Sequence, residues 1–169
     1  MGEEETIFSS KIKYDGLFPF KDFYKFCYDW LLEETGIDAV VEDKYSEKLK
    51  GEAKDIDVEW SGSKDISDYF RFKIKVKYVI RNMSQVKIKK DGAEVDTNKG
   101  NVEIGVKGIL VKDYKSKFDL TAFKKFLRAT YEKYVIPSTV SEIKGKIFNS
   151  CDEFIGQAKA YLDLEGRKG

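Results

Sequence analysis

The sequence predicts an α+β fold, a curved antiparallel β-sheet of about five to seven strands with helices packed on one of its faces. One strand-like stretch and one amphipathic helix come first, alternating apolar and polar residues fill the middle of the chain, and helical spacing returns after residue 119. With 169 residues, the chain has the size of one domain. We therefore predict a single domain over residues 1–169, in which the C-terminal helical part, about 119–164, packs on the sheet.

The N-terminal region predicts a strand followed by a helix. Thr6–Tyr14 alternates apolar with polar residues, and Asp15-Gly16 predicts the turn that ends this strand. Pro19 stands where a first helical residue belongs, and Gly36 is typical of the residue just beyond a helix. Between them, apolar residues recur at intervals of three and four, which indicates an amphipathic helix. These residues are Phe20, Phe23, Cys27, Trp30 and Leu31.

Residues 39–50 fit either a helix or a strand, and we predict a strand. Two alternating stretches follow: Lys54–Trp60 carries acids between its apolar residues, whereas Phe70–Tyr78 carries basic residues. We predict an antiparallel hairpin with Trp60 opposite Phe70, which places each acid opposite a base. The basic stripe is then mostly sheet exterior with its counter-charges alongside, and a binding surface for nucleic acid or acidic lipid is the alternative. The predicted charge pairs are Glu59–Arg71, Asp57–Lys73 and Asp55–Lys75.

A second hairpin and a further strand come next. Val86–Asp96 is centred on Asp91-Gly92, a residue pair that two-residue hairpin turns prefer. Asp96–Asn101 partly matches a calcium loop, but Lys107 stands where that loop needs a carboxylate, so we predict an ordinary polar loop. Asn101–Tyr114 is the next predicted strand. The predicted neighbours across the hairpin turn are Lys89 and Glu94, Ile88 and Val95, and Lys87 and Asp96.

Two helices are predicted in the C-terminal part. Asp119 caps the first, which is predicted over Leu120–Tyr134, and Pro137 ends it. Thr139 and Glu142 have the spacing of a capping box at the start of the second helix. Behind them, a long apolar stripe predicts the side that packs on the sheet, since the opposite side is charged. The stripe consists of Ile143, Ile147, Cys151, Phe154, Ala158 and Leu162.

The composition argues against several functions. The chain contains no histidine, the usual general base and zinc ligand, so we predict no catalytic residue, no metal site and no cofactor; an enzyme that uses only carboxylates or lysines is the alternative left open. A formal net charge of +1 does not favour nucleic-acid binding. Cys27 and Cys151 lie on apolar helix faces and are predicted to be buried free thiols. Since the sequence has no long apolar run and no signal peptide, we expect a cytoplasmic, non-catalytic domain with no transmembrane segment.

The order of the predicted elements resembles the helix-grip fold of the START and Bet v 1-like proteins. In both, a strand and a helix precede an antiparallel meander, and a long helix follows it. The resemblance implies a cavity for a lipid-like or other hydrophobic ligand, between the sheet and the C-terminal helix. The candidate lining residues are Trp60, Phe72, Tyr78, Phe148 and Phe154.

The alternative function is a protein-interaction or self-associating module without a ligand cavity. Phe148 lies on the same predicted helix as Phe154–Ile155, and together they make a wider apolar arc than one contact with a sheet requires. A partner protein or a second copy of the chain would cover that arc. Aromatic residues that simply fill a close-packed core have the same sequence pattern, so both functions remain open at this point.

Overall fold

The computed structural model describes residues 3–112, 126, 130 and 137–167. Its strands are β1 (Glu3–Phe18), β2 (Val40–Lys50), β3 (Ala53–Asp65), β4 (Phe70–Lys90) and β5 (Ala93–Lys112), and its helices are α1 (Phe20–Glu34) and α2 (Pro137–Gly166). Among the described residues, the strands form one open antiparallel sheet in the order β1-β5-β4-β3-β2. In this order β1 pairs with β5, and β4, β3 and β2 follow in reverse chain order.

The predicted α+β class, antiparallel sheet and long C-terminal helix are confirmed. Residues 39–50, which fitted a helix or a strand, form β2, as we predicted. The helix predicted over Leu120–Tyr134 falls outside the described residues, except for Phe126 and Thr130. No helix in the described part of the chain is both long enough and apolar enough to cross a membrane.

The two faces of the sheet differ because side chains alternate along each strand. From Phe70 to Ile80 in β4, every second side chain is buried, whereas Lys75 and Lys77 between them are exposed. The helices pack on the buried face, which we call the inner face. The apolar stripe predicted for α2, from Ile143 to Leu162, is buried there along its whole length.

Strands β3 and β4 pair in a register that differs from the predicted one. Trp60 lies opposite Val76, not Phe70, and Lys77 lies opposite Glu59. Trp60 nevertheless keeps its inward orientation, because a shift by an even number of residues preserves both faces of a strand. The three predicted charge pairs, Glu59–Arg71, Asp57–Lys73 and Asp55–Lys75, are therefore wrong.

A short connection between β3 and β4 explains this register. β3 continues through Gly62, and only residues 66–69 turn the chain. Glycine is required at position 62, because a Cβ atom there would lie only 2.8 Å from Ile37 Cδ1. In the turn, Ser67 Oγ accepts hydrogen bonds from the backbone N–H groups of Tyr69 (3.2 Å) and Phe70 (3.1 Å).

Two stretches predicted as turn or loop belong to strands. Asp15-Gly16 lies inside β1, which continues beyond it. Asp96–Asn101 lies inside β5, where Asn98 Oδ1 accepts a hydrogen bond from the backbone N–H of Phe20 at 3.0 Å and caps the start of α1. The turn predicted at Asp91-Gly92 is confirmed, with φ angles of 54° and 82°, and so are the three residue pairs that flank it.

Candidate functional site

The inner face of the sheet carries a cluster of aromatic side chains beneath α1. The ring centroids of Tyr24 and Trp60 are 4.8 Å apart, and those of Trp60 and Tyr78 are also 4.8 Å apart. Trp60 Nε1 donates a hydrogen bond to the Tyr24 hydroxyl at 2.9 Å, and that hydroxyl donates to the carboxylate of Glu42 on β2. Burial, together with the hydrogen bond to Glu42, raises the pKa of Tyr24, so the hydroxyl remains a donor.

The arrangement of three elements produces this cluster. Tyr24 follows Phe20 by one turn of α1, which places it above the sheet. Tyr78 lies opposite Val58 and is therefore the diagonal neighbour of Trp60, close enough for two large rings to touch. The cluster thus depends on the register of β3 against β4 as well as on the docking of α1.

Tyr78 is the most deeply buried member of this group. Its side chain is inaccessible to solvent, and its hydroxyl makes no regular hydrogen bond to any residue that the structure describes. The polar group beside it is the Cys27 thiol, a weak hydrogen-bonding partner. Burial raises the pKa of Cys27 to about 12 and holds the pKa of Tyr78 well above its ordinary value. We call Tyr24, Cys27, Trp60 and Tyr78 the Tyr78 cluster.

The structure brings together two of the five residues predicted to line a ligand site. Trp60 and Tyr78 are in contact. Phe72 is buried on the same inner face of the sheet but lies further along β4. Phe154 packs instead against Trp30, with ring centroids 5.7 Å apart. Phe148 packs against Phe8 at 5.1 Å and is half exposed.

Sequence reasoning missed Tyr24 and the role of Cys27. Cys27 was predicted as a buried free thiol on the apolar face of α1, with no part in a ligand site, and Tyr24 fell outside the apolar stripe of α1. A helical spacing of four between Phe20 and Tyr24 was the one signal that could have placed Tyr24 on the inner face. The spatial neighbours of both residues on β3 and β4 have no signature in the sequence.

The contact between β5 and α2 is close-packed. A Cβ atom on Gly108 would lie 2.6 Å from Cys151 Sγ and 3.0 Å from Ile147 Cγ2, so the backbone of β5 touches the side chains of α2 directly. The space between sheet and C-terminal helix is filled at this level. The Tyr78 cluster lies beneath α1 and contains the two predicted lining residues that touch each other, Trp60 and Tyr78, so it is the candidate ligand site.

Comparison with known proteins does not assign the chain to a family. No protein-family model matches it, and none of the curated protein sequences matches it. Within the described residues, no group of three or more cysteine, aspartate or glutamate side chains is placed to hold a metal ion. The functional argument therefore depends on the geometry of the described side chains.

Proposed function

We propose that this protein is a non-catalytic binding domain, and that it holds a hydrophobic small molecule with one hydrogen-bonding group at the Tyr78 cluster. The observation that carries the proposal is the buried hydroxyl of Tyr78, which lacks a regular partner in the described part of the chain. A buried hydroxyl without a hydrogen bond destabilises a fold by about 1–3 kcal/mol. A ligand oxygen or nitrogen that accepts this bond would remove the penalty.

The surroundings of Tyr78 suit an apolar ligand. Aromatic rings border its side chain, with Tyr24 at 5.9 Å and Phe23 at 6.4 Å between centroids. Such rings supply a large contact area together with a few polar groups that orient a ligand. Small-molecule sites commonly combine an apolar lining with one or two hydrogen-bonding groups in this way.

Two exposed tyrosines extend the aromatic surface outwards. The rings of Tyr28 and Trp60 are 6.0 Å apart, and those of Tyr45 and Tyr24 are 6.2 Å apart. Both outer tyrosines are more than one third exposed. A ligand that enters between α1 and β2 would meet these rings first and then reach the buried members of the cluster.

The pKa values favour binding over catalysis. Burial raises the pKa of Cys27 to about 12, so the thiol stays neutral near pH 7 and is a poor nucleophile. The raised pKa of Tyr78 likewise leaves its hydroxyl as a hydrogen-bond donor and not as a base.

Native mass spectrometry of the recombinant protein, repeated after denaturation in organic solvent, tests the proposal. We expect an added small-molecule mass that denaturation removes. The Tyr78→Phe variant deletes only the hydroxyl and should retain less ligand, whereas Tyr161→Phe, a matched change on α2, should retain as much as wild type. A wild-type protein that carries no ligand and does not bind the apolar dye 1-anilinonaphthalene-8-sulfonate saturably would contradict the proposal.

The alternative function, docking of a protein partner or a second copy, depends on Phe148. Its side chain is 47% exposed and lies beside Phe8 on the edge strand β1. Phe154 and Ile155 are buried within the chain, so the apolar arc on α2 is narrower than the sequence predicted. The same native spectra test this function: a dimer that the Phe148→Ser variant dissociates would favour it over a ligand carrier.

A further inference from the structure

The face of the sheet opposite the helices contains a groove of about 660 Å³. It crosses the strands near their centres, and Gly105 of β5 lies in its floor. A Cβ atom on Gly105 would come no closer than 3.9 Å to its neighbours, so the missing side chain leaves a depression. The volume falls within the range of about 300–1,000 Å³ that is typical of small-molecule sites.

Like charges meet in this groove. Lys75 of β4 lies directly opposite Lys107 of β5, and Lys77 lies beside them, opposite Gly105. None of these three lysines forms an ion pair with any residue that the structure describes. Like charges directly opposite each other on paired strands destabilise the pairing. An anion bound between the two ammonium groups would convert this repulsion into attraction.

The rest of the basic stripe on β4 is neutralised. Arg71 pairs with Asp65 at 2.7 Å, and Lys73 pairs with Glu4 at 3.7 Å. Arg81 Nη2 lies 3.0 Å from a carboxylate oxygen of Asp57. Lys75 and Lys77, the residues of the stripe that form no close ion pair within the described part of the chain, therefore lie in the groove, with Glu59 facing Lys77 from β3.

We propose that this groove binds a small molecule that carries a phosphate or pyrophosphate group. The phosphate oxygens lie between Lys75, Lys77 and Lys107, and the apolar part of the molecule lies on Val79, which lines the same groove. Lysine binds phosphate as a point charge, and the groove presents lysines but no arginine among the residues that the structure describes.

The acidic residues of the groove limit the size of the anion. Glu103 neutralises Lys11 at 3.3 Å, and Glu59 and Asp43 also line the groove. These carboxylates would repel an extended polyanion that crossed the sheet. A compact phosphate is therefore a better fit than a nucleic-acid strand, whose backbone carries charge along its whole length.

Isothermal titration calorimetry with sodium pyrophosphate, at constant ionic strength, tests the proposal. We expect saturable binding to wild type at one site. The double variant Lys75→Gln/Lys107→Gln should bind at least about tenfold more weakly, because it removes two charge-assisted contacts. The matched control, Lys89→Gln/Lys90→Gln at the tip of the β4–β5 hairpin, makes the same change in net charge and should stay within about twofold of wild type.

Gly105→Val separates the shape of the groove from its charge. The side chain has room in the strand, since no contact shorter than 3.9 Å arises at its Cβ, yet it fills the depression. We expect it to weaken pyrophosphate binding while the protein stays folded. Equal binding by wild type, Gly105→Val and both lysine variants would overturn the proposal, because it would mean diffuse attraction to surface charge.

A single-stranded oligonucleotide series provides a second discriminating measurement. Affinity that rises with oligonucleotide length and exceeds that of pyrophosphate would overturn the proposal in favour of a nucleic-acid surface. Tyr78→Phe should bind pyrophosphate as wild type does, since the Tyr78 side chain is buried on the inner face and does not line the groove. The two proposals can thus fail independently.

Discussion

Asp55 accepts a hydrogen bond from the backbone N–H of Asn82, its neighbour on β4, at 3.0 Å. Both residues lie where the β3–β4 ladder shifts register, and Asn82 has a positive φ of 54°. The second carboxylate oxygen of Asp55 lies 2.8 Å from Lys50 Nζ. The side chain therefore takes the place of a ladder hydrogen bond and stabilises the bulge.

This arrangement predicts an acid-dependent loss of stability. The hydrogen bond to Lys50, followed by that to the Asn82 backbone, holds the pKa of Asp55 below its ordinary value of 3.8. Because the folded-state pKa is lowered, the stabilisation is present above pH 3.8 and is lost as the pH falls through the folded-state pKa. Asp55→Asn should therefore flatten the dependence of the melting temperature on pH in the acid range.

Thermal unfolding of wild type, Asp55→Asn and the control Asp152→Asn, between neutral pH and about pH 2, checks this expectation. Asp152 is exposed on α2, so its replacement should leave the slope of the curve unchanged. Curves of the same shape for all three proteins would show that the bulge does not depend on the charge of Asp55.

The contact between Gly108 and Cys151 predicts that Gly108→Ala destabilises the protein by about 1–3 kcal/mol, the usual effect of overpacking a core. Gly145→Ala is the matched control, because a Cβ atom there meets nothing within 4 Å. In an exposed helix interior this change should instead stabilise by about 0.5–1 kcal/mol. Urea unfolding measures the free energy of unfolding of both variants, and we expect changes of opposite sign. An unchanged stability of the Gly108→Ala variant would mean that α2 shifts to make room.

The two cysteines should be unreactive in the folded protein. Both are buried and free, as predicted, and burial raises the pKa of each thiol to about 12. Only the thiolate reacts with a disulfide reagent, and a buried thiol also needs a local opening of the structure. Labelling with 5,5′-dithiobis(2-nitrobenzoate) should be at least about a hundredfold slower in buffer than in denaturant. Rapid labelling of one thiol in buffer would indicate that its helix detaches readily.

The Tyr78 cluster predicts opposite effects for two tyrosine-to-phenylalanine changes. Tyr24→Phe leaves the buried Trp60 N–H without an acceptor and should destabilise by about 1–3 kcal/mol. Tyr78→Phe removes a hydroxyl that has no regular partner, so the ligand-free protein should stay within about 1 kcal/mol of wild type or become more stable. Chemical denaturation of both variants checks this, and a large loss of stability in Tyr78→Phe would show that its bond to Cys27 is strong.

Local sequence patterns predicted the helices, strands and turns better than they predicted which residues meet in the candidate ligand site. The turn at Asp91-Gly92 was predictable because positive φ angles at two successive positions select such residues. The register of Trp60 was not, since Ser61–Ser63 has the composition of a loop and yet continues β3. Alternation predicted that Tyr78 faces inwards, but it carries no information about which helical residue will lie above it.

Sequence patterns likewise did not predict which charged residues lie opposite each other across the strands. Lys75 looked neutralised in sequence only because the predicted register placed Asp55 opposite it. In the structure, Lys75 has Ser61 on one side and Lys107 on the other. A shift of the strand pairing by an even number of residues leaves every side chain on its own face of the sheet and does not change its burial. The same shift decides whether an opposite charge lies across from a lysine.

The pairing of β1 with β5 has a consequence for synthesis. Glu3 lies opposite Lys112 and Phe18 opposite Asn98, so β1 is synthesised before β5 and has to wait for β5 before it can take this place in the sheet. The hairpins from β2 to β5 need only local turns, whereas β1 closes a loop that spans most of the described chain. A nascent chain stopped before Ala93 therefore contains β1 without β5, the strand with which β1 pairs in the folded sheet.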